Sequence, residues 1–143
     1  MKVCIVCIGN ICRSPMAEVV LRAELAEIGV DVEVDSAGAA TGHAGHPMDE
    51  RALKALTDRG YDGSGHMARQ FEASWERDLI LVADNRTGEL LEQMGKTDRV
   101  YLFGNREIPD PYFGDAGDFS YALDLIEAAT PGVATRISDM LIK

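Results

Sequence analysis

The run Cys7-Ile8-Gly9-Asn10-Ile11-Cys12-Arg13-Ser14 sits where the hydrophobic period of the chain changes, and that change constrains the fold more than any other feature. Ahead of it, Lys2 to Ile8 reads as a short buried strand rich in valine and isoleucine; behind it, Met16, Val19, Val20, Ala23 and Ala26 follow helical spacing after a Ser14-Pro15 start. The same alternation continues to the end, with candidate strands at 2–8, 32–36, 78–83 and 99–103 and candidate helices at 15–28, 49–59, 86–94, 118–129 and about 131–142. No linker, repeat or low-complexity tract interrupts it. The series predicts an α/β fold: one doubly wound domain over residues 1–143, with a four-stranded parallel sheet, flanking helices and right-handed connections. The loop after the first strand then falls at the carboxyl edge of the sheet, where such folds hold ligands.

The loop itself has the chemistry of a phosphate cradle with a nucleophile. Ser14 reads as an N-cap and Pro15 as the first helical residue, so the free N–H groups and the positive helix end face back into the loop. Gly9 and Asn10 tolerate the left-handed backbone that turns successive N–H groups inward. Arg13 adds a planar fork for two phosphate oxygens, and Ile8, Gly9, Asn10, Ile11, Cys12 and Ser14 are expected to surround the anion. The helix end, Arg13 and a hydrogen bond from Ser14 all favour the thiolate of Cys7, the expected nucleophile. Alone, Cys7 would be an ordinary buried strand cysteine and Arg13 a surface charge. Strand, Gly-Asn turn, Arg-Ser-Pro and amphipathic helix together reverse that reading. Phosphoryl transfer also needs a proton for the leaving oxygen. Asp110-Pro111-Tyr112-Phe113 supplies a carboxyl group within a rigid turn, on a long structureless connection, Gly104 to Gly117. Asp110 is the expected general acid, with Tyr112 and Phe113 as aromatic walls.

These motifs resemble those of the low-molecular-weight protein tyrosine phosphatases, whose pattern is Cys-x5-Arg-Ser-Pro with a distant Asp-Pro-Tyr; Cys7, Arg13, Ser14, Pro15 and Asp110 meet it position for position, over nearly the full chain. The resemblance implies hydrolysis of phosphotyrosine and small aryl phosphates through a phosphocysteine intermediate, with no cofactor and no metal. It also implies supporting roles for Ser36 and His66, which bond to Asn10, and a redox catch in which Cys12 forms a disulfide with Cys7. Two positions depart from the pattern: Gly42-His43 stands where many members carry a tryptophan before the histidine, and Phe113 replaces a second tyrosine. The missing tryptophan is closer to bacterial members, in which the partner is a phosphotyrosine protein such as a tyrosine kinase.

A formal charge of −10 argues against nucleic acid as a partner, since a phosphate backbone demands the opposite balance. It leaves a phosphate substrate open, because remote surface charge is screened over ~8 Å at physiological salt. The chain has no long apolar run and no signal peptide, so no membrane insertion is expected; a cytoplasmic monomer is. The three cysteines, one in a motif that needs a thiolate, fit a reducing compartment. Cys12 is close enough in sequence to Cys7 for a disulfide, and equally well a small apolar side chain packed under the loop. Cys4 reads as core, since Cys4-Ile5-Val6-Cys7 lies within a strand rather than at a helix start. Trp75, Phe71, Leu79 and Leu81 read as one core group, and His43 and His46 as exposed loop residues, with the pocket mouth as their alternative place.

Two other functions share parts of this pattern. A thioredoxin-coupled arsenate reductase needs two further cysteines late in the chain, and none follows Cys12. A non-catalytic phosphate sensor would be expected to have lost one of Cys7, Arg13 and Asp110, and all three are present.

Overall fold

The computed structural model describes residues 1–142. Along the chain run β1 (Lys2–Cys7), α1 (Arg13–Glu27), β2 (Glu33–Gly38), α2 (Glu50–Asp58), β3 (Leu79–Val82), α3 (Asn85–Gln93), β4 (Val100–Leu102) and α4 (Ala116–Ile142). The strands form one parallel sheet in the order β2-β1-β3-β4. Every residue of β1 but Lys2 is buried, as its continuous apolar run demands of a central strand covered on both faces.

The alternation of side chains along β1 divides the core. Val3 and Ile5 face α1 and α4, in a cluster with Met16, Leu21, Leu123 and Ile137. Cys4 and Val6 face the other way, toward Phe71, Ile80 and Leu91. The expected group of Trp75, Phe71, Leu79 and Leu81 is therefore split by the sheet: Phe71 and Trp75 pack edge-to-face at 5.4 Å on one side, while Leu79 and Leu81 belong to the other. Period-two alternation explains the split, because Leu79 and Leu81 share a face that Ile80 does not. Burial pushes the Cys4 thiol far above its ordinary range, consistent with an inert core residue.

The second correction concerns the C-terminal helices. Residues 118–129 and 131–142, expected as two, lie in the single 27-residue helix α4, which has Pro131 in its interior. Its buried face runs through Phe119, Leu123, Ile126, Thr130, Val133 and Ile137, so packing against the core is continuous across the proline. Proline removes one backbone donor and crowds the preceding turn, but it does not break a helix whose apolar face is held on both sides of it. Pro131 itself is exposed.

The register sets up the site. Cys7 lies opposite Gly38, and Val6 opposite Val82, so the carboxyl ends of β2, β1 and β3 reach one edge together. Gly38 is needed there: a Cβ at this position would stand 2.6 Å from the Ile8 carbonyl oxygen. At the same edge Asp49 caps α2 by accepting from the Arg51 N–H at 2.8 Å, and Asp84 caps α3 by accepting from the Thr87 N–H at 2.8 Å.

Replacing Pro131 by alanine restores a helix donor worth about 3 kcal/mol and returns about 1 kcal/mol of entropy to the unfolded chain. Pro131→Ala is expected to stabilise the protein by about 2 kcal/mol, read as a higher urea midpoint at unchanged m-value; a lower midpoint would mean that the proline itself supports the packing of α4.

Candidate active site

The loop between β1 and α1 is built around one buried amide. Asn10 has φ of 60°, the left-handed conformation that asparagine tolerates better than most residues, and it is fully buried. Its Nδ2 donates to Ser14 Oγ at 2.8 Å and Ser36 Oγ at 3.0 Å, and its Oδ1 accepts from the Arg69 N–H at 2.9 Å. Its backbone carbonyl lies 2.8 Å from His66 Nε2, and its backbone N–H donates to Cys7 Sγ at 3.3 Å. Ser36 in turn donates to Glu18 Oε1 at 2.6 Å. Gly9, the other residue expected in the left-handed region, does not occupy it.

Ser14 is not an N-cap. Helix α1 starts at Arg13 with Cys12 in the cap position and no side-chain cap, which makes Pro15 the third helical residue rather than the first. The Ser14 hydroxyl is committed to Cys7 Sγ, 2.9 Å away, and to Asn10. A cap side chain usually bonds the N–H of the second or third helical residue, and proline at the third has none to offer. The helix therefore opens without a side-chain cap, and the hydroxyl serves the thiol.

Arg13 is buried together with its counter-charge. Nη1 donates to Asp84 Oδ2 at 2.7 Å and to the Ile108 carbonyl at 2.9 Å, while Nη2 lies 3.8 Å from Asp110 Oδ2. Burial works against the guanidinium charge, but the Asp84 hydrogen bond and the negative groups around it raise its pKa above the ordinary value. Burial likewise pushes the Asp84 carboxyl up, and the hydrogen bonds from Arg13 and Thr87 outweigh it and hold the pKa below the usual range. Asp84 was invisible to motif reading, although its position carried a signal: it follows β3 at the carboxyl edge of a parallel sheet and opens a helix.

A cavity of about 220 Å³ lies over the loop, lined by every residue from Cys7 to Arg13 and, from the distant connection, by Asp110, Tyr112 and Phe113. Ser14, Ser36 and His66 sit behind this lining and touch Asn10 or the thiol from the protein side. Gly42 and His43 also line the cavity, so of the two readings of His43, exposed loop residue and pocket-mouth residue, the second holds. Its ring lies 6.1 Å from that of Tyr112. Phe113 stands edge-on to Tyr112 at 4.9 Å and is 94% exposed, so Tyr112 is the inner wall and Phe113 the rim. The Asp110 side chain is half exposed, and its Oδ1 accepts from the Tyr112 N–H at 3.1 Å. Cys12 is buried and unpaired, its thiol pushed far up by burial and then by Asp49 and Cys7. Among the described residues no cluster of His, Cys, Asp and Glu is arranged to hold a metal ion.

A strand-loop-helix cradle thus faces a thiol, a guanidinium and a carboxyl group across one cavity, an arrangement suited to holding an oxyanion. Comparison with known proteins agrees: the family model described as low molecular weight phosphotyrosine protein phosphatase matches residues 2–141, and the chain belongs to that family of phosphatases. A low molecular weight protein-tyrosine-phosphatase of Streptomyces coelicolor is 40% identical, covering 98% of this chain and 95% of the relative. Low molecular weight protein-tyrosine phosphatase A of Mycobacterium tuberculosis is 35% identical over 100% of this chain and 95% of its own. Among solved structures, Vibrio vulnificus Wzb in complex with benzylphosphonate superposes with a TM-score of 0.87 at 32% identity, covering 94% of this chain and 97% of that one.

Asp84→Asn keeps the cap of α3, since asparagine caps as well as aspartate, but leaves Arg13 without its close counter-charge. The expected loss at pH 7 is about 1–3 kcal/mol. Because the folded-state pKa of Asp84 is depressed, its contribution is present above the ordinary carboxylate pKa of about 4 and is lost as pH falls through the lower folded value. Urea titrations of wild type and variant should therefore differ at pH 7 and converge in acid; a constant difference would remove the charge from the explanation.

Proposed function

We propose that the protein hydrolyses phosphotyrosine by two in-line displacements at phosphorus. The observation that carries this reading is the convergence of the Ser14 hydroxyl and the Asn10 N–H on Cys7 Sγ, at 2.9 and 3.3 Å, with Arg13 and Asp110 beside it. Both donors suit a thiolate acceptor.

In the first step a sulfur lone pair of Cys7 forms an S–P bond while the P–O bond to the tyrosyl oxygen breaks, and Asp110 gives its proton to that oxygen. In the second, Asp110 takes a proton from water as the water oxygen attacks phosphorus; the S–P bond breaks and inorganic phosphate and the thiolate are released. Nη1 of Arg13 is spent on Asp84 and Ile108, which leaves Nη2 and Nε for the equatorial phosphoryl oxygens. Inward N–H groups from Ile8 to Ser14 complete the cradle, with Ser36 and His66 holding its shape through Asn10. Tyr112, His43 and the Phe113 rim form a slot for a flat ring, which favours aryl over alkyl phosphates; benzylphosphonate, the molecule bound in the Vibrio relative, carries such a ring one methylene away from its phosphorus.

The physiological substrate class is a phosphotyrosine-bearing protein, of which a bacterial tyrosine kinase is one case. No helix among the described residues is long and apolar enough to cross a membrane. Three unpaired cysteines suit the reducing cytoplasm, and Cys12, which lines the same cavity as Cys7, is the proposed partner that traps an oxidised Cys7 as a disulfide.

Cys7→Ser is expected to abolish turnover of p-nitrophenyl phosphate while phosphate still binds, measured as retained affinity by calorimetry; appreciable activity would sink the phosphocysteine step. EDTA should leave the wild-type rate unchanged. Asp110→Asn should lose more rate on phenyl phosphate, a basic leaving group, than on p-nitrophenyl phosphate, within the ~10²–10⁴-fold that general acids supply. A small uniform loss would make Asp110 a turn residue only.

For Cys12, mild peroxide followed by dithiothreitol should restore activity to wild type and less to Cys12→Ser, with a Cys7–Cys12 disulfide seen by peptide mapping. Equal recovery in both proteins returns Cys12 to a packing role.

A further inference from the structure

The segment carrying Asp110 is attached to the protein unevenly. Up to Ile108 it is pinned, since the Ile108 N–H donates to the Ala83 carbonyl at 2.8 Å and its own carbonyl accepts from Arg13. Beyond that point Pro111 is buried and Tyr112 half-buried, while Asp110, Phe113 and Gly114 are exposed. Among the described residues, the hydrogen bonds that tie 109–114 to another element come from one side chain: Arg51 donates through Nη2 to the Tyr112 carbonyl at 2.9 Å and through Nη1 to the Gly114 carbonyl at 3.1 Å.

Arg51 is itself fixed in direction. Asp49 accepts from its Nε at 3.1 Å and from its Nη2 at 3.0 Å, and its guanidinium lies over the rings of Phe119, at 4.5 Å, and Tyr112, at 5.6 Å. Asp49 also reaches the cradle, because its backbone N–H donates to the Ile11 carbonyl at 2.9 Å. A continuous chain thus runs from Ile11 through Asp49 and Arg51 to Tyr112, whose N–H holds the Asp110 carboxylate at 3.1 Å.

We propose that Arg51 is a positioning residue for the general acid: it clamps the 109–114 segment to the element bonded to Ile11, so that Asp110 and the phosphate cradle keep one relative position. The proposal rests on the assignment of Asp110 as the acid. Four hydrogen bonds from one guanidinium are more than a surface ion pair needs, and two of them act on both ends of the Tyr112–Gly114 turn at once. Lysine would not reproduce them, since a point charge has no planar fork. A proton donor loosened by about 1 Å loses efficiency by up to ~10²-fold, and the loss matters only where the leaving oxygen needs the proton.

The test compares wild type, Arg51→Gln, Asp110→Asn and the double variant by kcat/KM on phenyl phosphate and p-nitrophenyl phosphate, with inhibition by inorganic phosphate as the measure of the cradle alone. Arg51→Gln should lose about tenfold more on phenyl phosphate than on p-nitrophenyl phosphate, with phosphate inhibition within about twofold of wild type. In the Asp110→Asn background the same substitution should leave the ratio between the substrates unchanged, because there is no acid left to position. Equal losses on both substrates, phosphate inhibition weakened in proportion to activity, or a further change of ratio in the double variant would each overturn the proposal. Should Arg51→Gln fail to fold, Asp49→Asn, which keeps the cap of α2, must show the same substrate-dependent loss to a smaller degree. An Asp110→Asn protein with no leaving-group dependence would overturn the acid assignment and the clamp together, whereas dependence in that variant without any in Arg51→Gln would overturn the clamp alone.

Discussion

The site depends on Asn10 being held in a backbone conformation that a non-glycine residue rarely adopts. Its φ of 60° costs of order 1 kcal/mol, and a conformation of that kind persists only where surrounding contacts over-determine it. Those contacts are Ser14, Ser36, His66 and Arg69, from three different parts of the chain, and they satisfy the amide and the backbone carbonyl of Asn10 together. The left-handed turn is what directs the Asn10 N–H at Cys7 Sγ. Glycine would relieve the strain but would remove the amide that links the loop to β2 and to the segment after α2. The loop is therefore not a flexible connection that happens to bind anions; it is preorganised by a buried polar network in which every member has a partner.

The sheet makes this network possible. Three parallel strands ending at one edge bring Cys7, Gly38 and Asp84 into reach of one another, although they are far apart in sequence. Parallel pairing also puts the start of a helix at each of those ends, so Asp49 and Asp84 can cap α2 and α3 and still have an oxygen for Arg51 or Arg13. One carboxylate thus terminates a helix and fixes a guanidinium. Losing it would disturb local structure and site geometry at the same time.

How far the sequence reveals all this follows from the range of the interactions. The strand-to-helix change around Cys7–Ser14 is local, and so is the alternation that predicts a four-stranded parallel sheet; both are written in residue periodicity. Ser14 illustrates a local rule outcompeted: its type says N-cap, but a buried thiol and amide offer its hydroxyl better partners than a helix turn containing Pro15. Pro131 illustrates the same thing in reverse, a punctuation mark overridden by an apolar face that packs on both sides of it. Asp84 and Arg51 were missed for a different reason. Arg13 and Asp84 are 71 positions apart, and Arg51 and Tyr112 61 apart, and a single sequence carries no record of which distant charges meet.

The two charged groups facing the cradle differ in exposure in the way their proposed roles require. Arg13 must stay charged and still through both displacements, so burial suits it: its side chain is 3% exposed, and the low dielectric that would penalise it alone strengthens its pairing with Asp84. In its proposed role Asp110 gives its proton to a leaving oxygen and regains one from water, so access to solvent suits it. At 47% exposure it keeps contact with solvent, and at 3.8 Å from Arg13 Nη2 it forms no tight bidentate pair with the guanidinium. An acid free enough to exchange protons is also free to wander. That conflict is the physical reason for fastening its segment from outside, through the carbonyls of Tyr112 and Gly114, rather than through the carboxyl group itself.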